Sequence, residues 1–341
     1  MRQKSGRAVA RVMMVVWLSM FILAPLAVGA EPVTLKYANF LPEATFGAEQ
    51  MEKWKAEVER RTHGDISVST FPGGNLLGAM EIIDGVVSGK ADIGCFTMSY
   101  FPERFVITNA VSLPLAIPSA EVGSLVLWDL FQKYKPEPFA NVKVLTMFTT
   151  APANIMSTKP VRSVNDIQGM SLRSPGSGGP ILHSWGAEMK AMPISEAPEA
   201  LKKNFVQGVF TSLDFMKDFN FAEYCHFVTM TNTVIYPLAV VMNLDRWNSL
   251  PKAVQNILED LGTEHAAWAG TNWDQRVKDA LEWSKKEYQV EVTDLAEAQK
   301  TKLNFLISPI TSKWIKETKA KGLPAGAIVM DIRKLIRKHS M

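Results

Sequence analysis

Residues 169–176 read Gly-Met-Ser-Leu-Arg-Ser-Pro-Gly, a short strand-like run that a Pro-Gly turn brings to an end. Arg173 stands at the end of this run. Its guanidinium offers a rigid fork of donors, which suits a carboxylate better than the ammonium of a lysine would. The stretch therefore predicts a strand of an α/β fold with an anion-binding side chain at its end.

Strand-like and helical patterns alternate on both sides of this stretch. Before it we predict strands Val33–Ala38, Ile66–Phe71, Ala91–Phe96, Val142–Phe148 and Asn154–Ser157, and helices Gly47–Thr62, Met80–Ser88, Glu121–Tyr134 and Val164–Ile167. From it onward we predict strands Met170–Arg173, Lys190–Met192, Gly208–Thr211 and Thr233–Met242, and helices starting at Ile181 and spanning Glu196–Asn204, Lys252–Tyr288, Asp294–Leu306 and Pro309–Ala320. Such alternation implies βαβ units and mostly parallel sheets.

The α/β pattern occurs twice, and a long strand and a long helix follow it. Gly262 and Gly270 lie inside that helix and are expected to bend it. This order predicts two lobes joined by more than one crossing, with residues 31–148 and 241–283 in lobe 1 and residues 149–240 and 284–341 in lobe 2. Ligands of open α/β sheets bind beyond the carboxyl ends of the strands. The loops after the strands should therefore converge on one cleft.

The first thirty residues have the pattern of a secretory signal peptide. Four basic residues precede an apolar run, and small residues end it at Val28-Gly29-Ala30. An uncleaved anchor is the alternative, which Pro25 and the small-residue exit disfavour. The chain has 37 Lys+Arg and 34 Asp+Glu, so removal of this leader leaves 33 basic against 34 acidic residues. That balance predicts no basic field for nucleic acid or anionic lipid, and no later stretch is apolar enough to insert into a membrane.

The residues that most often carry chemistry show no catalytic or metal pattern. The five histidines have no metal spacing, and we expect neither a metal nor another cofactor. Ser177 does not sit in a Gly-x-Ser-x-Gly frame. The two cysteines, Cys95 and Cys225, lie in apolar contexts and are interpreted as buried free thiols rather than a disulfide. The sequence therefore favours a binding protein over an enzyme.

Several stretches match a known family in the right order. They are Phe71–Gly78, Val86–Gly94, Lys159–Arg173, Met192–Glu196 and Trp247–Pro251. With these stretches the chain resembles the periplasmic solute-binding proteins of TRAP transporters, the type that includes the C4-dicarboxylate binders. The resemblance implies a two-lobed periplasmic-binding-protein fold with a hinge cleft and a long lobe-spanning helix. It also implies that Arg173 pairs with the carboxylate of a small organic acid, and that the closed protein docks in the periplasm on the membrane permease subunits.

Two positions depart from the family pattern. Many members carry a basic residue in the segment that matches Phe148–Met156, where this chain has none. Many also place an asparagine where this chain has Phe210-Thr211-Ser212. The cleft is therefore expected to have lost a cation and an amide and gained an aromatic ring. A monocarboxylate with an apolar or aromatic body should fit it better than a dicarboxylate or sialic acid.

Eight residues are candidate ligand contacts because they lie at or near strand ends that face the expected cleft: Arg173, Phe40, Tyr100, Asn154, Ser174, Phe210, Thr211 and Tyr236. Alternative interpretations stay open. Arg173 could form a structural salt bridge with Asp166 or Glu196, and the glycines of residues 176–179 could hold a phosphate. Trp268, Trp273 and Trp283 are interpreted as packing anchors on the long helix.

The sequence thus predicts an exported protein that captures an organic acid. The rivals are a binding protein that serves an ABC importer or a sensor, an exported enzyme on the same fold, and a purely structural protein. The enzyme would need a general base or nucleophile with a partner in the cleft, and the sequence offers none.

Overall fold

A computed structural model describes residues 32–341, so the predicted signal peptide at 1–30 lies outside the described residues. The strands are β1 (Val33–Asn39), β2 (Ile66–Phe71), β3 (Ile93–Thr97), β4 (Val142–Thr149), β5 (Asn154–Ser157), β6 (Ser171–Ser174), β7 (Glu188–Ala191), β8 (Gly208–Thr211), β9 (Phe227–Met230), β10 (Pro237–Asn243) and β11 (Glu291–Asp294).

Helices cover the sheets and connect their strands. They are α1 (Phe46–Arg61), α2 (Ile82–Val87), α3 (Ala120–Tyr134), α4 (Val164–Ile167), α5 (Gly179–Trp185), α6 (Ala197–Lys202), α7 (Phe215–Asp218), α8 (Leu244–Ser249), α9 (Lys252–Tyr288), α10 (Glu297–Ile307), α11 (Pro309–Ala320) and α12 (Ala325–His339). Short 3-10 turns lie between them, among them Met98–Tyr100, Thr108–Ser112 and Gly176–Gly178.

The first sheet has the order β2-β1-β3-β10-β4. Strands β1, β2 and β3 are parallel, as the alternating pattern predicted. Strand β10 runs antiparallel to both β3 and β4, because the chain returns to this sheet from the second one. Strand β4 therefore runs in the same direction as β1, β2 and β3, and only β10 opposes them. The prediction of a mostly parallel sheet is confirmed, with β10 as its one antiparallel strand.

The second sheet has the order β11-β9-β5-β8-β6-β7. Strand β6, which carries Arg173, lies between β7 and β8 and is parallel to both. Strand β5 is antiparallel to β8 and β9. Leu172 of β6 points into the core of this lobe, so the next residue along the strand points to the opposite side.

The chain connects the two sheets between β4 and β5 and again between β9 and β10, and α9 packs on elements of both. The helix lies against α3 and β4 beside the first sheet and against α7, which follows β8 of the second. Its two interior glycines allow close contact instead of a break. A Cβ at Gly270 would lie 2.6 Å from the Cα of Glu121, and one at Gly262 would overlap the carbonyl oxygen of Leu145. The predicted two-lobed α/β fold with a long helix is confirmed.

The element boundaries agree with the sequence where the pattern is strong. The predictions for β2, β5, β8, α4, α9 and α11 match the observed bounds. The strand predicted at Thr233–Met242 begins only at Pro237, because residues 231–234 form a turn that bonds to Asn154 and Ala153. Strands β9 and β11 and helix α12 were not predicted. Helix α12 packs against α3, which favours placing it with lobe 1; the lobe boundaries stay a prediction.

Both cysteines are free and buried, as predicted, and burial raises the pKa of each thiol to about 12. Within residues 32–341, no helix combines the length and the apolar character that crossing a membrane requires.

Candidate functional site

A small cavity, partly open to solvent, lies where the loops after the strands of both sheets meet. Its lining residues come from both lobes: Phe40, Leu41, Thr97, Tyr100, Thr150, Arg173, Pro175, Ile194, Thr211, Phe215, Tyr236, Leu238 and Trp273. The convergence of strand ends that the sequence predicted thus brings side chains of both lobes to this cavity.

Arg173 is the charged group of this cavity. The residue is only 1% exposed. Its Nε and Nη2 atoms donate to the carbonyl oxygen of Met192 at 3.0 and 2.7 Å. Nη2 also lies 3.5 Å from the hydroxyl of Tyr100. These contacts hold the side chain on one edge and leave the donors of Nη1 without a protein partner in the described chain.

No carboxylate among residues 32–341 forms a salt bridge with Arg173. Asp166, one predicted alternative partner, is occupied by the backbone and hydroxyl groups of Ser163 at the start of α4. Burial lowers the pKa of the Arg173 guanidinium, and the Tyr100 and Tyr236 hydroxyls and the charge of Glu196 act in the opposite direction, although Glu196 forms no salt bridge with it. A buried cation without an anion is costly, so the site is complementary to a negatively charged group.

Tyr100 connects the two sides of the cavity. It ends the 3-10 turn after β3, and its hydroxyl accepts a hydrogen bond from the backbone N–H of Ile194 at 3.0 Å. Nearby, a Cβ on Gly176 would lie 3.3 Å from both Pro102 and the carbonyl oxygen of Ser99. The glycine therefore lets the loop after β6 lie directly against the loop after β3. Together these contacts close the cavity on this side.

Aromatic side chains form most of the remaining wall. Phe40 packs edge to face on Tyr100, with ring centroids 5.9 Å apart. Phe215 meets Trp273 of α9 in the same manner at 6.3 Å. Leu41, Ile194 and Leu238 fill the spaces between these rings. Such a wall gains free energy mainly from burying an apolar ligand body.

Three threonines and two tyrosines, Tyr100 and Tyr236, supply the hydroxyl groups of the lining. The threonines are Thr97, Thr150 and Thr211. The hydroxyl of Tyr236 lies 3.1 Å from Ser174 Oγ and 3.4 Å from the carbonyl oxygen of Phe210. Burial raises the pKa of Tyr236, so its hydroxyl stays protonated and neutral.

Five of the eight predicted contacts line the cavity, and three do not. Ser174 does not line the cavity; its hydroxyl donates to the carbonyl oxygen of Pro175 and forms a hydrogen bond with the hydroxyl of Tyr236. The ring of Phe210 packs on Trp185 at 5.4 Å in the core of the second lobe. Because side chains alternate along a strand, Thr211 faces the cavity and Phe210 faces away. The aromatic ring that the sequence placed in the cleft at this position is therefore in the core.

Asn154 has a structural position. Its Oδ1 accepts from the backbone N–H groups of Thr231 and Asn232 at 2.7 and 2.9 Å, and its Nδ2 donates to the carbonyl of Pro152. The side chain thus fixes the turn before β10. All of these bonds are to the backbone, and the residue lies outside the cavity lining.

Sequence reasoning missed several residues of the lining. Thr97, Thr150 and Leu41 belong to loops that were expected to converge on the cleft, so the strand-end rule could have included them. Trp273 was interpreted as a packing anchor. It does pack on Phe46, with ring centroids 5.0 Å apart, but it also lines the cavity. Its double role depends on the rotation of α9, which the sequence pattern does not define.

A second buried charged side chain, that of Asp218, lies outside the cavity lining. Asp218 of α7 accepts from Nε and Nη2 of Arg276 at 2.9 and 2.7 Å and from the backbone N–H of Phe46 at 2.8 Å. Arg276 also donates to the carbonyl of Ala44. Burial and then the charge of Asp218 raise the pKa of Asp214 to about 7. This cluster joins α7, α9 and the start of α1.

Within the described part of the chain, no group of three or more His, Cys, Asp or Glu side chains could hold a metal ion. The cavity lining itself has no acid, histidine or cysteine. It offers one buried cation, a few hydroxyls and an apolar wall.

Comparison of the chain with known protein families agrees with this site of one buried cation and an apolar wall. The sequence profile of the family described as bacterial extracellular solute-binding protein, family 7, matches residues 37–317. The chain belongs to this family. A TRAP periplasmic solute-binding protein from Desulfovibrio salexigens is 44% identical, and the match covers 91% of this chain and 97% of that one with a TM-score of 0.81. The resemblance found in the sequence is thus confirmed.

Other TRAP solute-binding proteins with the same fold bind varied acids. One from a marine metagenome, specific for aromatic acid ligands and solved with 3-hydroxybenzoate, is 25% identical; the match covers 92% of this chain and 100% of that one with a TM-score of 0.86. The C4-dicarboxylate-binding periplasmic protein of Rhodobacter capsulatus is 20% identical, over 87% of this chain and 90% of its own length. The family binds small organic acids, and members differ in which acid they take.

Proposed function

We propose that this TRAP solute-binding protein captures a monocarboxylate with an apolar or aromatic body in the Arg173 cavity. After export to the periplasm, it delivers that ligand to the membrane permease subunits of a TRAP-type secondary transporter. The observation that carries the proposal is the buried guanidinium of Arg173, which has no carboxylate partner within residues 32–341. A ligand carboxylate supplies the missing anion through charge-assisted hydrogen bonds.

The charge of the lining supports one carboxylate rather than two. Arg173 is the one basic residue among the lining residues, and the other polar groups are neutral hydroxyls. A second carboxylate would lose its hydration without gaining a cation, which costs several kcal/mol in a buried site. The uncharged segment Thr149–Asn154 contributes to this result through Thr150.

The apolar wall supports an aromatic or branched body. Five rings line the cavity: Phe40, Tyr100, Phe215, Tyr236 and Trp273. Phe210 is in the core of the second lobe, and Phe215 and Trp273 supply aromatic rings to the lining in its place. The solved relative with 3-hydroxybenzoate, and another from Bordetella bronchiseptica with bound mandelate at 25% identity and a TM-score of 0.84, show that the family accommodates such acids. Thr97, Thr150 or Thr211 could pair with a ring hydroxyl.

Closure of the lobes follows from contacts that only a closed form can make. The Tyr100 hydroxyl comes from the first lobe and meets the Ile194 N–H and Arg173 of the second. A carboxylate on Arg173 would add a further bond at this junction, so a bound ligand favours the closed state by its differential contacts. We propose that the permease recognises this closed form.

The test is a thermal-shift screen of the protein after unfolding and refolding, which removes any ligand carried over from the host. Benzoate, 3-hydroxybenzoate and mandelate are compared with benzamide and benzyl alcohol, which keep the ring without the charge, and with succinate. A ligand that binds only the folded protein raises its melting temperature. We expect stabilisation by at least one monocarboxylate and none by the neutral rings.

Two outcomes would contradict the proposal in different ways. Equal stabilisation by benzamide would show that the ring and not the carboxylate is recognised. Stabilisation by succinate alone would show that the protein captures an organic acid but that this acid is not a monocarboxylate. An exported enzyme on this fold is the second candidate, but no lining residue offers a general base, and a turnover assay on the same panel would detect it.

A further inference from the structure

The last two helices carry a charge that the rest of the chain does not share. Residues 309–341 contain eight Lys and Arg and two Asp and Glu, a formal charge of +6. Residues 31–308 contain 25 basic and 32 acidic residues, a formal charge of −7. The neutral balance of the exported chain therefore hides a strong asymmetry, and helices α11 and α12 form its positive end.

All eight basic residues of this end are exposed: Lys313, Lys316, Lys319, Lys321, Arg333, Lys334, Arg337 and Lys338. Three of them are held by carboxylates, since Lys313 lies 3.8 Å from Glu317, Lys321 lies 2.6 Å from Glu103 and Lys338 lies 2.9 Å from Asp129. The other five form no salt bridge with any carboxylate in the described part of the chain. Their charge is therefore available to a partner.

Helix α12 presents this charge on one side. Its inner side, with Ala325, Ile328, Val329 and Ile332, is buried and packs against α3. At 100° per residue, Met330, Lys334 and Arg337 fall on the opposite side, and Arg333 lies on its flank. Met330 is 70% exposed, although it is a large apolar residue. We call Met330, Arg333, Lys334 and Arg337 the outer face of α12.

We propose that the outer face of α12 binds the surface of an anionic phospholipid membrane. Arginine and lysine at such a surface gain attraction from the lipid phosphates while their aliphatic stems lie along the acyl boundary. The exposed thioether of Met330, which precedes the three cations on this face, can enter that boundary. An acidic protein surface would use the charge but would not explain the exposed apolar side chain on the same face.

The position of α12 is consistent with a separate role. None of its residues lines the Arg173 cavity. Membrane contact through this helix would hold the protein near a permease. That benefit rests on the proposed function, but vesicle binding itself does not depend on ligand capture.

The test is sedimentation of the exported chain with vesicles of phosphatidylglycerol and phosphatidylcholine, and with vesicles of phosphatidylcholine alone. The test variant is Arg333→Glu/Lys334→Glu/Arg337→Glu. The control, Lys278→Glu/Lys285→Glu/Lys286→Glu, changes the net charge equally at exposed positions of α9. We expect binding only to the anionic vesicles, weakened by salt, and reduced about tenfold or more in the test variant but much less in the control.

Two further variants test the charge and the apolar side chain of this face separately. Glutamates near the end of α12 oppose the helix dipole, so Arg333→Gln/Lys334→Gln/Arg337→Gln provides a milder change, and circular dichroism checks that each variant folds. Met330→Ser should weaken vesicle binding a few-fold without any change in charge. Equal losses in the test and control variants would overturn the proposal, as would a wild type that does not bind anionic vesicles. Thermal shift with the acid panel separates either result from a failure of ligand capture.

Discussion

Two arginines, the buried Arg173 and the partly exposed Arg276, have different surroundings. Arg276 has its own carboxylate, Asp218, at 2.7 Å, and a second one, Glu49, at 3.6 Å. Arg173 is more deeply buried and has only a carbonyl and a hydroxyl. The difference teaches how to distinguish a structural guanidinium from a receptor. The first is neutralised within the fold, and the second is neutralised by what it binds.

The largest effect should come from Arg276→Met. This variant leaves Asp218, whose side chain is fully buried, without its cation. An uncompensated buried charge costs about 3 to 5 kcal/mol of unfolding free energy, and protonation of Asp218 will place the effect near the lower end of that range. Urea unfolding at pH 7 measures it. An unchanged midpoint would show that the pair does not stabilise the fold.

Arg173→Met should give the opposite result in the ligand-free protein. The change removes a desolvated cation and keeps most of the side-chain volume, so only the bonds to Met192 and Tyr100 are lost. We expect an unfolding free energy within about 1 kcal/mol of wild type, or above it. The same urea titration checks this. A loss as large as that of Arg276→Met would mean that Arg173 is a structural residue.

The acid pair on α7 should make stability depend on pH. The pKa of Asp214 is raised from 3.8 to about 7, first by burial and then by the charge of Asp218. Between these values the folded protein retains a proton that the unfolded chain releases. The free energy of unfolding therefore falls as the pH rises through this range. Asp214→Asn should flatten that contribution.

Urea unfolding at pH 5 and pH 8 measures the Asp214 effect. The exposed Asp65→Asn serves as control, since it changes the same functional group at the surface. Identical pH slopes in wild type and Asp214→Asn would contradict the account of this cluster.

The smallest effect should come from Tyr100→Phe. The variant keeps the ring on Phe40 and removes only the hydroxyl that meets Ile194 and Arg173. One hydrogen bond of the closed form is worth about 1 kcal/mol, so ligand affinity should fall roughly fivefold. The hydroxyl of Tyr224 makes no hydrogen bond within the described chain, and Tyr224→Phe is the control. Equal affinities for both variants would remove Tyr100 from the closing contact.

Much of this comparison could be predicted from the sequence, because strand ends are defined by local patterns. The positions of Arg173, Tyr100 and Phe40 follow from the βα alternation and the strand-end rule. The side of the sheet to which a side chain points is harder to predict. The interpretation of Phe210 as a cleft residue was wrong because a shift of one residue along a strand moves the side chain to the other side. Asn154 was misjudged because its bonds depend on a turn more than seventy residues away.

The ion pair between Arg276 and Asp218 could not be predicted from the sequence for a similar reason. Arg276 and Asp218 are far apart in sequence, and each is one of many charged residues on a helix. Only the packing of α9 on α7 brings them together. That Arg173 has no carboxylate partner in the described chain is likewise a property of the fold. The sequence predicted only that Arg173 is the cation that binds an anion.

Isothermal titration calorimetry with wild type and Arg173→Met tests the central claim most directly. The titrant is the monocarboxylate that gives the largest thermal shift. We predict that wild type binds it and that Arg173→Met, still folded, binds it more weakly by about 2 to 5 kcal/mol, which is the loss of a buried charge-assisted pair. Binding of the acid by Arg173→Met with unchanged affinity would contradict the assignment of Arg173 as the carboxylate receptor.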